Sequence, residues 1–209
     1  MNKMKTTLFL TLCVMMMIFA CKKDNDTNEV VEAIKKEELT RKINDIIPKQ
    51  YQDTLAKLGI VLNQEVEPPN LEGAFGIKPL RLLKSNRPQD PANMVFNDVS
   101  VKFFTQDKDN NIKLIGKNFV GNADTSIVTA ISGKGNDFTI YGKVKAVQGS
   151  NLAIFGIVIS GVKDGDLLRN VRYGIINIDN SKGGTVFIKQ GDARAVFDTD
   201  LISGSIPMF

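Results

Sequence analysis

From Gly59 to its C-terminus the chain is a succession of short runs rich in β-branched and aromatic residues, broken by Gly, Asn, Asp and Ser roughly every ten to fifteen residues. No helix-length segment separates these runs. Parallel neighbours need a dozen or more connecting residues, so links this short confine the runs to antiparallel meander pairing. Strands are expected at 60–64, 72–84, 94–106, 111–120, 124–133, 137–148, 151–162, 169–179 and 184–190. Phe138, Ile140, Gly142, Val144 and Ala146 alternate with Thr139, Tyr141, Lys143 and Lys145, the pattern of a strand with one face in the core and one in water. Leu152 to Ile159 is apolar at nearly every position, as a strand buried on both faces requires. About eight such strands can close on themselves and remove their exposed edges. The expected fold class is therefore mainly β, an antiparallel meander closing into a barrel over residues 60–209, with a two-sheet β-sandwich as the alternative.

Ahead of the strands lies a helical signal over residues 28–59. Val30, Val31, Ile34, Leu39, Ile43, Ile46, Ile47, Tyr51, Leu55 and Leu58 recur at intervals near one helical turn. Pro48 cannot continue an interior helical hydrogen bond, and Gly59 is a helix stop. Two helices are expected, about 28–46 and 49–58, forming a neck whose apolar face packs on the following domain. That neck would also supply the cover that a strand buried on both faces needs.

Residues 1–20 carry Lys3 and Lys5, then an apolar run from Leu8 to Phe19, then a small residue, Ala20, before Cys21. This is the layout of a signal peptide, and the uninterrupted apolar run is too short for a spanning helix before Lys22 and Lys23 stop it. The residues Ile18, Phe19, Ala20 and Cys21 resemble a bacterial lipobox, with Phe19 bulkier than the usual occupant. The resemblance implies cleavage before Cys21, lipidation of its thiol with acyl chains such as palmitate, and a membrane anchor. A tether over 21–27 follows, and its charged stretch Lys22 to Asp26 resembles the export signals of Bacteroidetes surface lipoproteins. The expected location is the cell envelope, as an outer-membrane lipoprotein that faces either the cell surface or the periplasm.

Pro68, Pro69, Asn70, Leu71, Glu72, Gly73, Ala74 and Phe75, followed by Pro79, resemble the PPxIEGxY segment that heads the barrel in uncharacterised Bacteroidetes lipoproteins of lipocalin-like fold. Leu71 and Phe75 stand where that group has isoleucine and tyrosine. The resemblance covers the leader, neck and first strands, implies a lipocalin-like barrel, and is silent on activity.

Composition narrows the chemistry. There is no histidine and no cysteine beyond Cys21, which removes histidine-dependent nucleophilic triads, histidine-built zinc sites and disulfides from the mature chain. The formal charge of +4, falling to about +2 once Lys3 and Lys5 leave with the leader, gives no basis for nucleic-acid binding. No cofactor is expected. Asp107, Asp109 and Asn111 alternate like the oxygens of a calcium loop, but Ile112 stands where such a loop has glycine. Phe103, Phe119, Tyr141, Phe155 and Tyr173 are the candidates to line a ligand cavity, with core packing as the other reading. A non-catalytic binding module for a small apolar ligand or a glycan is expected, alternatively a structural or accessory partner of an envelope protein complex.

Overall fold

The computed structural model describes residues 23–120 and 124–209. The expected leader and the lipidation site Cys21 lie outside them. Two compact units divide between Glu37 and Glu38.

Helix α1 (Lys23–Ile46) begins within the stretch expected as tether, because neither proline nor glycine interrupts it from Lys23 on. In the first unit Val30, Val31 and Ile34 are about half exposed. Glu29, Glu32, Lys35 and Lys36 are interspersed with them.

In the second unit the same helix buries Leu39, Ile43 and Ile46, and Ile47 follows them. Pro48 separates α1 from α2 (Lys49–Lys57). Helix α2 ends as the sequence predicts: Gly59 sits at φ +96°, its N–H reaches the carbonyl of Ala56 at 2.9 Å, and the Ile60 N–H reaches that of Leu55 at 3.2 Å. This paired closure needs the left-handed conformation that glycine adopts at least cost.

Twelve strands follow: β1 (Val66–Glu67), β2 (Gly73–Ile77), β3 (Leu80–Ser85), β4 (Val95–Phe96), β5 (Val99–Phe104), β6 (Lys113–Lys117), β7 (Asp124–Lys134), β8 (Asp137–Gln148), β9 (Asn151–Asp164), β10 (Leu167–Lys182), β11 (Ala193–Asp198) and β12 (Ile202–Ser203). Their ladders run in the order β2-β5-β6-β7-β8-β9-β10-β11-β3-β4. Strands β7 to β10 form three successive hairpins with two-residue turns, in the register Lys134↔Asp137, Gln148↔Asn151 and Asp164↔Leu167. The meander expectation holds across them. Other pairs depart from it: β2 pairs with β5 and β11 with β3, antiparallel but not sequence neighbours, and β1 lies parallel to β7, with Val66 opposite Gly133.

The strands form two sheets, joined where β6 and β7 share only the pairs Ile115↔Thr125 and Gly116↔Asp124. No closed ring of ladders is found among the described strands, so the mainly β class stands and the two-sheet arrangement matches the sandwich alternative. The C-terminal segment adds further links. Ile202 and Ser203 pair with Arg169 and Leu168 of β10, and Ser205 bridges to Phe75 of β2. The Gly76 N–H donates to the Gly204 carbonyl and the Ile206 N–H to that of Ala74, each at 2.9 Å.

Two apolar clusters occupy the two sides of the strands. The inner one draws on both sheets, with Phe75, Val101, Phe103, Leu114, Ile140, Phe155, Ile157, Ile159, Tyr173 and Val196 among its members. The outer one packs Leu39, Ile43, Ile46, Ile47, Leu55 and Leu58 against Tyr141, Val158, Ile176, Ala193 and Ala195. Strand β9 is thus buried on both faces, as its unbroken apolar run predicts. Residues 60–64, expected as a strand, cross this outer face without pairing: Ser132 and Tyr141 both donate to the Asn63 carbonyl at 2.6 Å. The expected strand at 184–190 is a loop, and the strand forms later, at β11.

Candidate ligand-binding site

The alternation of β11 decides what the inner face presents at one end of the fold. Ala193 and Ala195 turn outward beneath the helices, while Val196 joins the inner cluster and Arg194 shares its parity. Arg194 borders a cavity of 310 Å³ together with Phe96, Phe119, Phe155, Tyr173 and Phe187. Three of the five aromatic residues expected at a cavity therefore meet there. Phe119 and Tyr173 stand edge to face, with ring centres 4.8 Å apart, and the Tyr173 hydroxyl donates to the Phe119 carbonyl at 2.9 Å. Phe155 makes a similar contact with Phe187 at 5.9 Å. Phe119 reaches this place because its ring lies across Gly116, where a Cβ would come within 2.2 Å of it.

The other two expected residues lie elsewhere. Phe103 is fully buried against Phe75, with ring centres 6.2 Å apart, and does not border the cavity. Tyr141 points to the opposite side of the sheet, into the outer cluster, where burial pushes its phenol far above the usual range. Its place among the outward positions of β8 was already visible in the alternation around it.

At the cavity's edge Asp90 gathers an ion-pair cluster. The Arg194 guanidinium grips it with two bonds, Nε to Oδ2 at 2.7 Å and Nη2 to Oδ1 at 2.8 Å. Arg87 donates to Asp90 at 3.0 Å and to Asp192 at 3.1 Å, and the Ser85 hydroxyl donates to Asp90 at 2.7 Å. The hydrogen bonds from Arg194, ahead of the other contacts, hold the Asp90 carboxyl at about 2. Sequence reasoning missed Phe96, Phe187 and Arg194. Phe187 lies in a run with the pattern of a strand, and nothing local ties Arg194 to Asp90, about a hundred residues earlier.

Across the gap between β10 and β11 the chain crosses the cavity's margin. Fully buried Asn177 donates to the Ile188 carbonyl at 2.6 Å and fixes this crossing.

Asp107, Asp109 and Asn111 close a turn through their own hydrogen bonds. One oxygen of Asp107 accepts the N–H groups of Asp109 and Asn111 at 2.9 and 3.0 Å, and the other accepts the Asn111 side-chain amide at 2.7 Å. The Lys42 ammonium donates to the Asn111 side-chain oxygen and to the Asp109 carbonyl, supplying the positive charge locally. The bonds from Asn111, with those from the backbone, lower the Asp107 pKa. Burial lowers that of Lys42, opposed by the two aspartates. Among the described residues no group of three or more Asp, Glu, Cys or His stands where it could hold a metal ion.

A separate buried carboxylate, Asp198, ends β11. Its Oδ2 accepts the Ser203 hydroxyl at 2.6 Å, while Oδ1 is buried and has no partner among the described residues. Burial, with the nearby Asp200 carboxylate, raises its pKa to about 6. Comparison with family models, with curated proteins and with solved structures finds no match.

Proposed function

We propose that this chain is a membrane-anchored lipoprotein whose β domain is a non-catalytic binding module for a small apolar ligand. The observation that carries the reading is the 310 Å³ cavity walled by Phe119, Phe155 and Tyr173. It lies at the small end of the range for ligand sites, and it sets an aromatic wall beside polar side chains from Asn97, Asn118, Gln148 and Arg194 that could orient a ligand. Anchoring through lipidated Cys21 in the outer membrane rests on the leader and lipobox pattern alone.

The same proposal takes the strands as a lipocalin-like barrel closed by the C-terminal segment. In support, residues 202–206 bond to β10 on one side and to β2, the strand at one end of the ladder, on the other. Native mass spectrometry of the purified protein after exposure to envelope lipids tests the binding reading. An adduct that survives washing, and that Phe155→Trp abolishes by filling the cavity, is expected; a bare mass with every extract refutes it. For the anchor, the mature N-terminus is expected to carry diacylglycerol on Cys21, and an unmodified thiol refutes that part.

A second reading, an accessory to an envelope complex, is favoured by Val30, Val31 and Ile34, which are exposed on one stretch of α1.

A further inference from the structure

We infer that the cavity's ligand is an uncharged amphiphile of about ten non-hydrogen atoms, whose carbonyl or hydroxyl oxygen accepts a hydrogen bond from Arg194. This rests on the cavity being a binding site.

Arg194 is the charged residue in the lining, and its guanidinium carries five N–H donors. Nε and Nη2 are spent on Asp90, while Nη1 donates to no atom among the described residues. The guanidinium lies 6.0 Å from the centre of the Phe96 ring, which also borders the cavity. Donors left over from the Asp90 pair at the rim of an aromatic-walled space can be taken by the oxygen of a ligand seated there.

Charge balance decides which kind of acceptor. Arg87 and Arg194 face Asp90 and Asp192, two cations against two anions, and the remaining polar lining residues Asn97, Asn118, Gln148 and Tyr173 are neutral. A carboxylate entering this space would find no surplus cation to pair with, because the guanidinium at its edge is already neutralised by Asp90. A ketone, ester or alcohol oxygen takes the Nη1 proton without needing one. Size follows from volume: 310 Å³ at the roughly 30 Å³ that a liquid water occupies holds about ten heavy atoms.

The test is a titration of the purified protein, followed by ¹H–¹⁵N NMR, with probes of matched size: nonan-2-one, octanoate and decane. Nonan-2-one is expected to bind at least tenfold more tightly than either of the others and to shift the Arg194 side-chain resonances. In Arg194→Lys, which keeps the charge but shortens the donor, the ketone is expected to fall to the affinity of decane. Decane binding as well as the ketone overturns the role of Arg194 and leaves the apolar cavity standing. Octanoate binding more tightly than the ketone overturns the neutral head group. Binding of none of the three overturns the cavity reading itself.

Discussion

Asp198 makes the stability of this fold depend on pH in a sense opposite to that of most carboxylates. Its side chain is buried with one oxygen unpaired, so the folded state favours the protonated acid and raises the pKa from 3.8 to about 6. A folded-state pKa above the unfolded one means that the native chain holds the proton more tightly. The stabilisation is then full below about pH 4 and is lost as pH rises through 6. A shift of about two units corresponds to a ceiling near 3 kcal/mol, and solvent screening around the Asp198–Asp200 pair reduces this to about 1–2 kcal/mol. Asp198→Asn removes the titration while keeping the shape. Urea unfolding of both proteins at pH 4 and pH 7.5 isolates the effect, because any fixed cost of the amide cancels between the two pH values. The variant is expected to gain about 1–2 kcal/mol relative to the parent on going from pH 4 to pH 7.5. Asp90 does not interfere, since its transition lies lower, between about 2 and 3.8. A difference between the two proteins that does not change with pH refutes the argument.

Three further outcomes are expected. Gly174 lies under the helical layer, where a Cβ would stand 2.9 Å from Ile60 Cγ1 and 3.0 Å from Leu55 Cδ2; Gly174→Val should cost about 1–3 kcal/mol in denaturant unfolding, and an unchanged midpoint refutes close packing there. Asp90→Ala strands Arg87 and Arg194 and should cost about 2–4 kcal/mol at pH 7, a loss that shrinks as pH falls toward 2; equal stability at pH 7 would mean the ion cluster contributes nothing. Replacing Val30, Val31 and Ile34 together with Gln should leave the thermal midpoint of the β domain unchanged, within about 0.5 kcal/mol, because all three are exposed; a drop of several degrees would show that they pack.

The four long strands β7 to β10 were legible because their signals are local: alternation on β8, an unbroken apolar run on β9, and two-residue turns between them. Helix ends at Pro48 and Gly59 were legible for the same reason. What escaped was set by distant contacts. Ala193 and Ala195 on β11 are small because the helical layer presses on them, so the strand lacks the bulky residues that mark strands elsewhere. Val186, Phe187 and Ile188 look like a strand but serve as an apolar margin to the cavity. The cavity's aromatic wall was half legible: parity along β8 separates Tyr141 from the others, but no local pattern separates Phe103, packed against Phe75, from Phe119, Phe155 and Tyr173.

The C-terminal segment carries a kinetic consequence. Strands β7 to β10 pair with their sequence neighbours and can zip early, whereas β2 has β5 on one edge but waits on the other for partners about 130 residues away, at Gly204 and Ile206. Until residues 204–206 dock, the N–H of Gly76 and the carbonyl of Ala74 form an open edge, the kind that recruits a second unfolded chain. Removing residues 202–206 would therefore yield not a slightly smaller domain but an adhesive one.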